Sequence, residues 1–273
     1  MDTAATPGSG SAHDRASSGG DFDPSRGVVV AGPIRARGPV VTGLAVWGMS
    51  YAALAVLIVG LGFLLTHLLL PAGMDRFDLS VSRWFVDQRT PMLNTVTLVG
   101  SELGSTPAIL GVAVVAVLVL AIMRRWYEIA FVVGALALEF SVFLTATFLI
   151  DRNRPDVPRL DPSPVTSSYP SGHAAASFAL YAAIAIVIAS HVRSAIVRTL
   201  VWIVALAVPV LVALSRVYRG MHHLTDVTAS LLLGPGAVLL ALLVTRAAAA
   251  AAAPNEETVP EPAPAPDDIE VAS

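Results

Sequence analysis

The sequence predicts an all-α polytopic membrane protein with six transmembrane helices, and two observations carry that reading. Apolar residues make up 55% of the 273-residue chain and charged residues only 14%, against roughly 25% charged in soluble domains. Several apolar runs approach or exceed the ~20 residues a helix needs to cross a bilayer. Backbone polar groups in hydrocarbon find no water, so these runs must be helices, which satisfy them internally. A net charge of −3 provides no basic field for nucleic acid. The absence of cysteine excludes disulfides, thiolate chemistry and cysteine zinc sites. Lysine is absent too, so every Lys/Arg position is arginine.

Residues 1–40, rich in Gly, Ser, Ala, Asp and Pro and without the apolar core of a cleavable signal peptide, read as a disordered cytoplasmic tail. Residues 41–246 form the membrane domain, with spans expected at about 44–70, 105–123, 127–150, 173–190, 197–215 and 227–245. Residues 247–273 comprise an alanine run able to extend the last helix, followed by an acidic, proline-rich tail. The segment PMLNTVTLVGSELGS, 91–105, reads as a short helix packed beneath the second span.

Six spans place both tails on one side. Arg35 and Arg37, Arg124 and Arg125, Arg193 and Arg198, and Arg246 make that side cytoplasmic by the positive-inside rule, in the cell membrane. On the other side, FDLSVSRWFVDQRT sets Phe77, Val81, Trp84 and Phe85 on one helical face, with Asp78, Ser82 and Arg83 elsewhere. That pattern suits an interfacial amphipathic helix, read either as a ramp for a lipid or as a connector packed on the bundle.

Three polar clusters interrupt the apolar chain: DRNRP at 151–155, YPSGH at 169–173 and SRVYRGMHHLTD at 215–226. The first two lie between the third and fourth spans and the third follows two further crossings, so all three converge on one membrane surface. Arg154 and Arg216 are planar, permanently charged forks suited to phosphate oxygens. Pro170, Ser171 and Gly172 open a helix whose free amides and dipole form an anion cradle. His173 stands beside it, where an imidazolium could protonate a leaving group. His222 and Asp226 are four apart, so on a helix the carboxylate orients the imidazole, which could carry a phosphoryl group as a covalent intermediate. His223, three residues from Asp226, competes for that role, and residue types do not choose between them. Glu139, fifteen residues or about 22 Å along a helix from Arg154, reads as a structural hydrogen-bonding group.

These motifs, RP at 154–155, PSGH at 170–173 and SR at 215–216 followed by His222 and Asp226, resemble the signature of type 2 phosphatidic acid phosphatases, a superfamily that includes vanadium haloperoxidases. The resemblance spans about residues 147–226. It implies a metal-independent, cofactor-free phosphohistidine mechanism with His222 as nucleophile, Asp226 as its partner and His173 as general acid. Arg154, Arg216, Ser171 and Gly172 would hold the phosphate of a lipid phosphomonoester or diphosphate, such as phosphatidate, phosphatidylglycerol phosphate or an isoprenoid diphosphate. The spacing from Ser215 and Arg216 selects His222 over His223. One position departs from the pattern: Thr147 stands where the family's first motif begins with lysine. Thr147 then offers a hydroxyl in place of a charge, with Arg152 and Arg219 as candidates to compensate. A phosphotransferase on the same scaffold and a non-catalytic lipid-binding or transport protein are the rival readings; transmembrane spans argue against a soluble haloperoxidase.

Overall fold

The computed structural model describes residues 38–162 and 165–252. The expected tails therefore fall outside the described residues, except at their inner edges. Among the described residues, eight α-helices follow in order: α1 (Pro39–Leu64), α2 (Asp75–Asp87), α3 (Pro91–Glu102), α4 (Thr106–Ile122), α5 (Trp126–Leu149), α6 (Gly172–His191), α7 (Ala195–Tyr218) and α8 (Leu224–Ala252). The alanine run to Ala252 is helical, continuing α8.

Four of these helices, α5 to α8, are long and apolar enough to span a membrane, as is the stretch containing α1. The protein is an integral membrane protein. Beyond α1 the helix loosens into a π-helical stretch, Leu65–Met74. There Pro71 lacks an N–H and Gly73 takes φ 108°, a conformation that glycine adopts at little cost. The chain turns at that point into α2.

The second span differs from the expected single helix over 105–123. Its 17-residue α4 is about 25 Å long, short of the ~30 Å hydrocarbon core. Together with α3, from which it is bent by 48°, it is long and apolar enough to cross as one broken span. Glycine permits the bend to pack: a Cβ on Gly104 would lie 2.5 Å from Val212 Cγ1 and 3.0 Å from the His173 carbonyl.

Around α8, the helices α1, α5 and α6 pack closely. Apolar side chains gain little by leaving lipid for one another, so close approach of small residues does much of the packing. Gly234 of α8 accordingly sits where a Cβ would be 2.6 Å from the Ala175 carbonyl of α6. Leu54, Ile58, Leu138, Val142 and Leu233 fill the layer between α1, α5 and α8. The start of α1 and the end of α8 meet at Gly43 and Ala248; the three polar clusters gather at the other end of the bundle.

The surface of α2 is arranged differently from its sequence pattern. Val81 and Phe85 pack on the bundle, and Phe77 and Trp84 are exposed. Asp78 and Ser82 are its most buried residues.

Candidate active site

A cavity of about 400 Å³ opens between α4, α5, α6 and α7. Arg154, Gly172, His173, Arg216 and His222 line its polar end; Ile109, Leu110, Leu136, Phe140 and Phe143 line the apolar remainder. Three remote segments build the polar end. Residues 150–171 cross from α5 to α6, tied to the turn before α8 by Leu160 N donating to Arg219 O at 3.1 Å.

His222 lies in that turn, two residues ahead of α8, rather than on a helix face shared with Asp226. The expected i,i+4 helical pairing is therefore replaced by another arrangement. His222 Nδ1 donates to the Ser168 carbonyl at 2.7 Å, while the nearest Asp226 oxygen is 3.9 Å away. A carbonyl only accepts, so Nδ1 carries the proton and Nε2 presents its lone pair. Nε2 lies 3.3 Å from Arg154 Nη1. Burial, then the charges of Arg216 and Arg154, hold His222 well below the ordinary histidine pKa, which keeps the imidazole neutral. His223 points elsewhere: its Nε2 bonds the Asn153 carbonyl at 3.2 Å, and it does not line the cavity.

Asp226 is fully buried. One carboxylate oxygen accepts from Ser168 Oγ at 2.5 Å and from His223 N at 2.8 Å; the other pairs with the Arg152 guanidinium. Arg152 also donates to Asp78 Oδ2 at 2.6 Å, and Asp78 accepts from Thr225 N and Oγ1 at 3.2 and 2.5 Å. Charges this deep persist only when paired and hydrogen-bonded, and the chain Asp78–Arg152–Asp226 meets that condition. Arg152 thus stands behind the cavity wall, committed to two carboxylates, and does not reach into the place of the missing lysine.

Arg219 is likewise committed. Its Nε and Nη2 donate to Asp161 at 2.8 and 2.5 Å and its Nη1 to the Asn94 carbonyl at 3.1 Å. Burial would raise the Asp161 carboxyl, but the Arg219 hydrogen bonds and the charges of Arg219 and Arg216 hold it below its ordinary range. Arg216 does line the cavity, braced by Ser101 Oγ at 2.9 Å and Asp161 at 3.4 Å. Arg154 is fixed by donating to the Met221 carbonyl at 2.6 Å. Thr147 opens onto a separate cavity and lies 3.5 Å from the Tyr169 carbonyl, so neither it nor the two compensating candidates faces the polar end described above. Ser171 is the residue before α6. Its amide donates to Ser230 Oγ at 3.0 Å and its own hydroxyl is buried without a partner. The first amides of α6, at Gly172 and His173, have no acceptor within the helix and stand at the cavity.

Glu139 lines this cavity as well. The 22 Å helical separation from Arg154 does not apply, because α5 ends at Leu149 and both residues line the same cavity. Residue-level reading also passed over Ser168, Asp78, Thr225, Asp161 and Ser101. Asp78 carried a faint signal, as an acid embedded among apolar residues; the others are ordinary loop or helix polar residues whose roles come from partners 50 or more positions away.

The model of the PAP2 superfamily matches residues 128–249. Phosphatidylglycerophosphatase B of Bacillus subtilis (strain 168) is 32% identical over 176 residues, which cover 61% of this chain and 81% of that protein. The crystal structure of the transmembrane PAP2-type phosphatidylglycerolphosphate phosphatase from Bacillus subtilis superposes with a TM-score of 0.57 at 25% identity, covering 75% of this chain and 94% of that one. The chain belongs to the PAP2 superfamily. It is a membrane lipid phosphatase, a hydrolase acting on phosphoric esters.

Proposed function

We propose that the protein hydrolyses a lipid phosphomonoester or diphosphate through a phosphohistidine formed on His222, without a metal. The observation that carries this is the disposition of the imidazole: Nδ1 is held by the Ser168 carbonyl and Nε2 faces the cavity beside Arg154. In the first step the Nε2 lone pair attacks phosphorus, the bond from phosphorus to the lipid oxygen breaks, and protonated His173 gives its proton to the departing oxygen. Arg154, Arg216 and the first amides of α6 take up the charge on the phosphoryl oxygens. Asp226, at 3.9 Å, stabilises the cation developing on the ring. Water then attacks phosphorus, giving its proton to His173, and the P–N bond breaks to restore His222.

The names of the relatives favour phosphatidylglycerol phosphate as substrate; phosphatidate and isoprenoid diphosphates suit the same chemistry. The arginine distribution supports an extracytoplasmic site in the cell membrane with both termini cytoplasmic. The decisive experiment is a panel of these three lipids on the purified protein in detergent, with chelator present and His222→Ala as control. Phosphate release that survives the chelator and vanishes in the variant is expected. Persistent release by His222→Ala would overturn the nucleophile, and loss of release on chelation would overturn the metal-free mechanism.

A further inference from the structure

The phosphoryl chemistry leaves one acid in the cavity unused. Glu139 is 3% exposed, lines the cavity from α5, and its Oε1 is buried without a hydrogen-bond partner. Among the described residues it makes no hydrogen bond or ion pair, and the Leu136, Phe140, Ile109 and Leu110 side chains that line the cavity with it offer no donor. An acid inside a membrane bundle is costly, and a polar group without a partner in an apolar wall adds to that cost. In a mostly apolar pocket, such a group is the kind that fixes a ligand's orientation.

Its depth limits what can meet it. Four residues further along α5, about 6 Å by helical rise, Phe143 marks the level of the phosphate cradle: a Cβ on Gly172 would lie 2.9 Å from its ring. Glu139 therefore stands about one turn beyond the phosphoryl position, where the lipid backbone begins. A hydroxyl on the carbon next to the phosphate-bearing carbon is four bonds from phosphorus and, with one hydrogen bond of about 2.8 Å, spans that interval. An ammonium at the same place would face the charges of Arg154 and Arg216, whereas a hydroxyl is neutral.

Resting on the phosphatase reading of this cavity, we infer that Glu139 accepts a hydrogen bond from a free hydroxyl adjacent to the phosphorylated carbon, and so favours glycerol phosphates with that hydroxyl over acylated or isoprenoid substrates. The test compares lysophosphatidate with its 2-deoxy analogue, with phosphatidate and farnesyl diphosphate as substrates lacking the donor, in detergent. The wild-type protein is expected to lose about tenfold or more in kcat/KM on removal of the hydroxyl. Glu139→Leu should erase that difference while leaving phosphatidate and farnesyl diphosphate within about twofold, and Glu139→Gln, which retains an acceptor, should restore most of it. If the leucine variant elutes aggregated, Glu139→Ala takes its place. Equal wild-type rates with and without the hydroxyl, or an equal fall on all substrates in a folded variant, would overturn the inference alone. Release of phosphate from none of them by the wild type would overturn the phosphatase reading and this inference with it.

Discussion

His222 is set by its two ring nitrogens having different neighbours. The Ser168 carbonyl requires Nδ1–H, and burial among arginine charges keeps the ring neutral. Because its folded pKa is depressed, the proton binds His222 only well below the ordinary histidine value of about 6.5. The kcat/KM profile, which reports the free enzyme, should therefore show no acid limb near 6.5 from this residue, and any limb there should track the substrate's own phosphate ionisation. A limb that stays near 6.5 when the substrate's phosphate pKa is changed would contradict this. The same sign applies to stability: the contribution is present above about 6.5 and lost as pH falls below it towards the folded value. His223, resting on the Asn153 carbonyl outside the cavity, should tolerate alanine with kcat within about fivefold of wild type. His222→Ala should lose roughly 10³-fold or more, as measured by phosphate release.

At the scale of elements, α2 packs on the bundle through Val81 and Phe85 and reaches the site's charged network through one buried acid, Asp78. Asp78 accepts from Arg152 and Thr225 and so links α2 to the Asp226 carboxylate beside His222. Removing Asp78 takes one of two carboxylates from the buried Arg152 and the acceptor from Thr225, and losing a buried ion-pair partner costs about 3–5 kcal/mol. Asp78→Ala should lower the thermal midpoint by roughly 6 °C or more and reduce kcat, although Asp78 does not line the cavity; a midpoint within about 1 °C of wild type would show the link to be dispensable. The bend between α3 and α4 carries a second dependence. Gly104→Ala would press on Val212 and the His173 carbonyl, so kcat should fall about tenfold or more with the protein still folded by size-exclusion elution. Neither effect could be foreseen from helical periodicity, because each depends on which side of a helix meets a distant segment.

Across the whole molecule, the absence of cysteine makes sidedness directly measurable. A single cysteine at Ser194, between α6 and α7, and another at Asp156, in the segment before α6, occupy opposite ends of the bundle. In intact cells an impermeant maleimide should label Asp156→Cys and leave Ser194→Cys unlabelled until lysis; the reverse pattern would invert the proposed topology.

Composition and apolar run length determined the helical membrane architecture, since hydrocarbon enforces internal hydrogen bonding whatever the packing. The order of the polar clusters along those runs determined that Arg154, His173, Arg216 and His222 meet, because counting crossings brings them to one face. Tertiary structure decided the rest. It pairs His222 with a backbone carbonyl in place of a helical carboxylate, turns Arg152 and Arg219 away from the cavity onto Asp78, Asp226 and Asp161, bends α3 against α4, and brings Glu139 into the cavity that His222 lines. Those outcomes depend on contacts between segments remote in sequence, more than 50 positions apart for His222, Arg152 and Arg219, where glycine clearance and the pairing of buried charge select among arrangements that are locally equivalent.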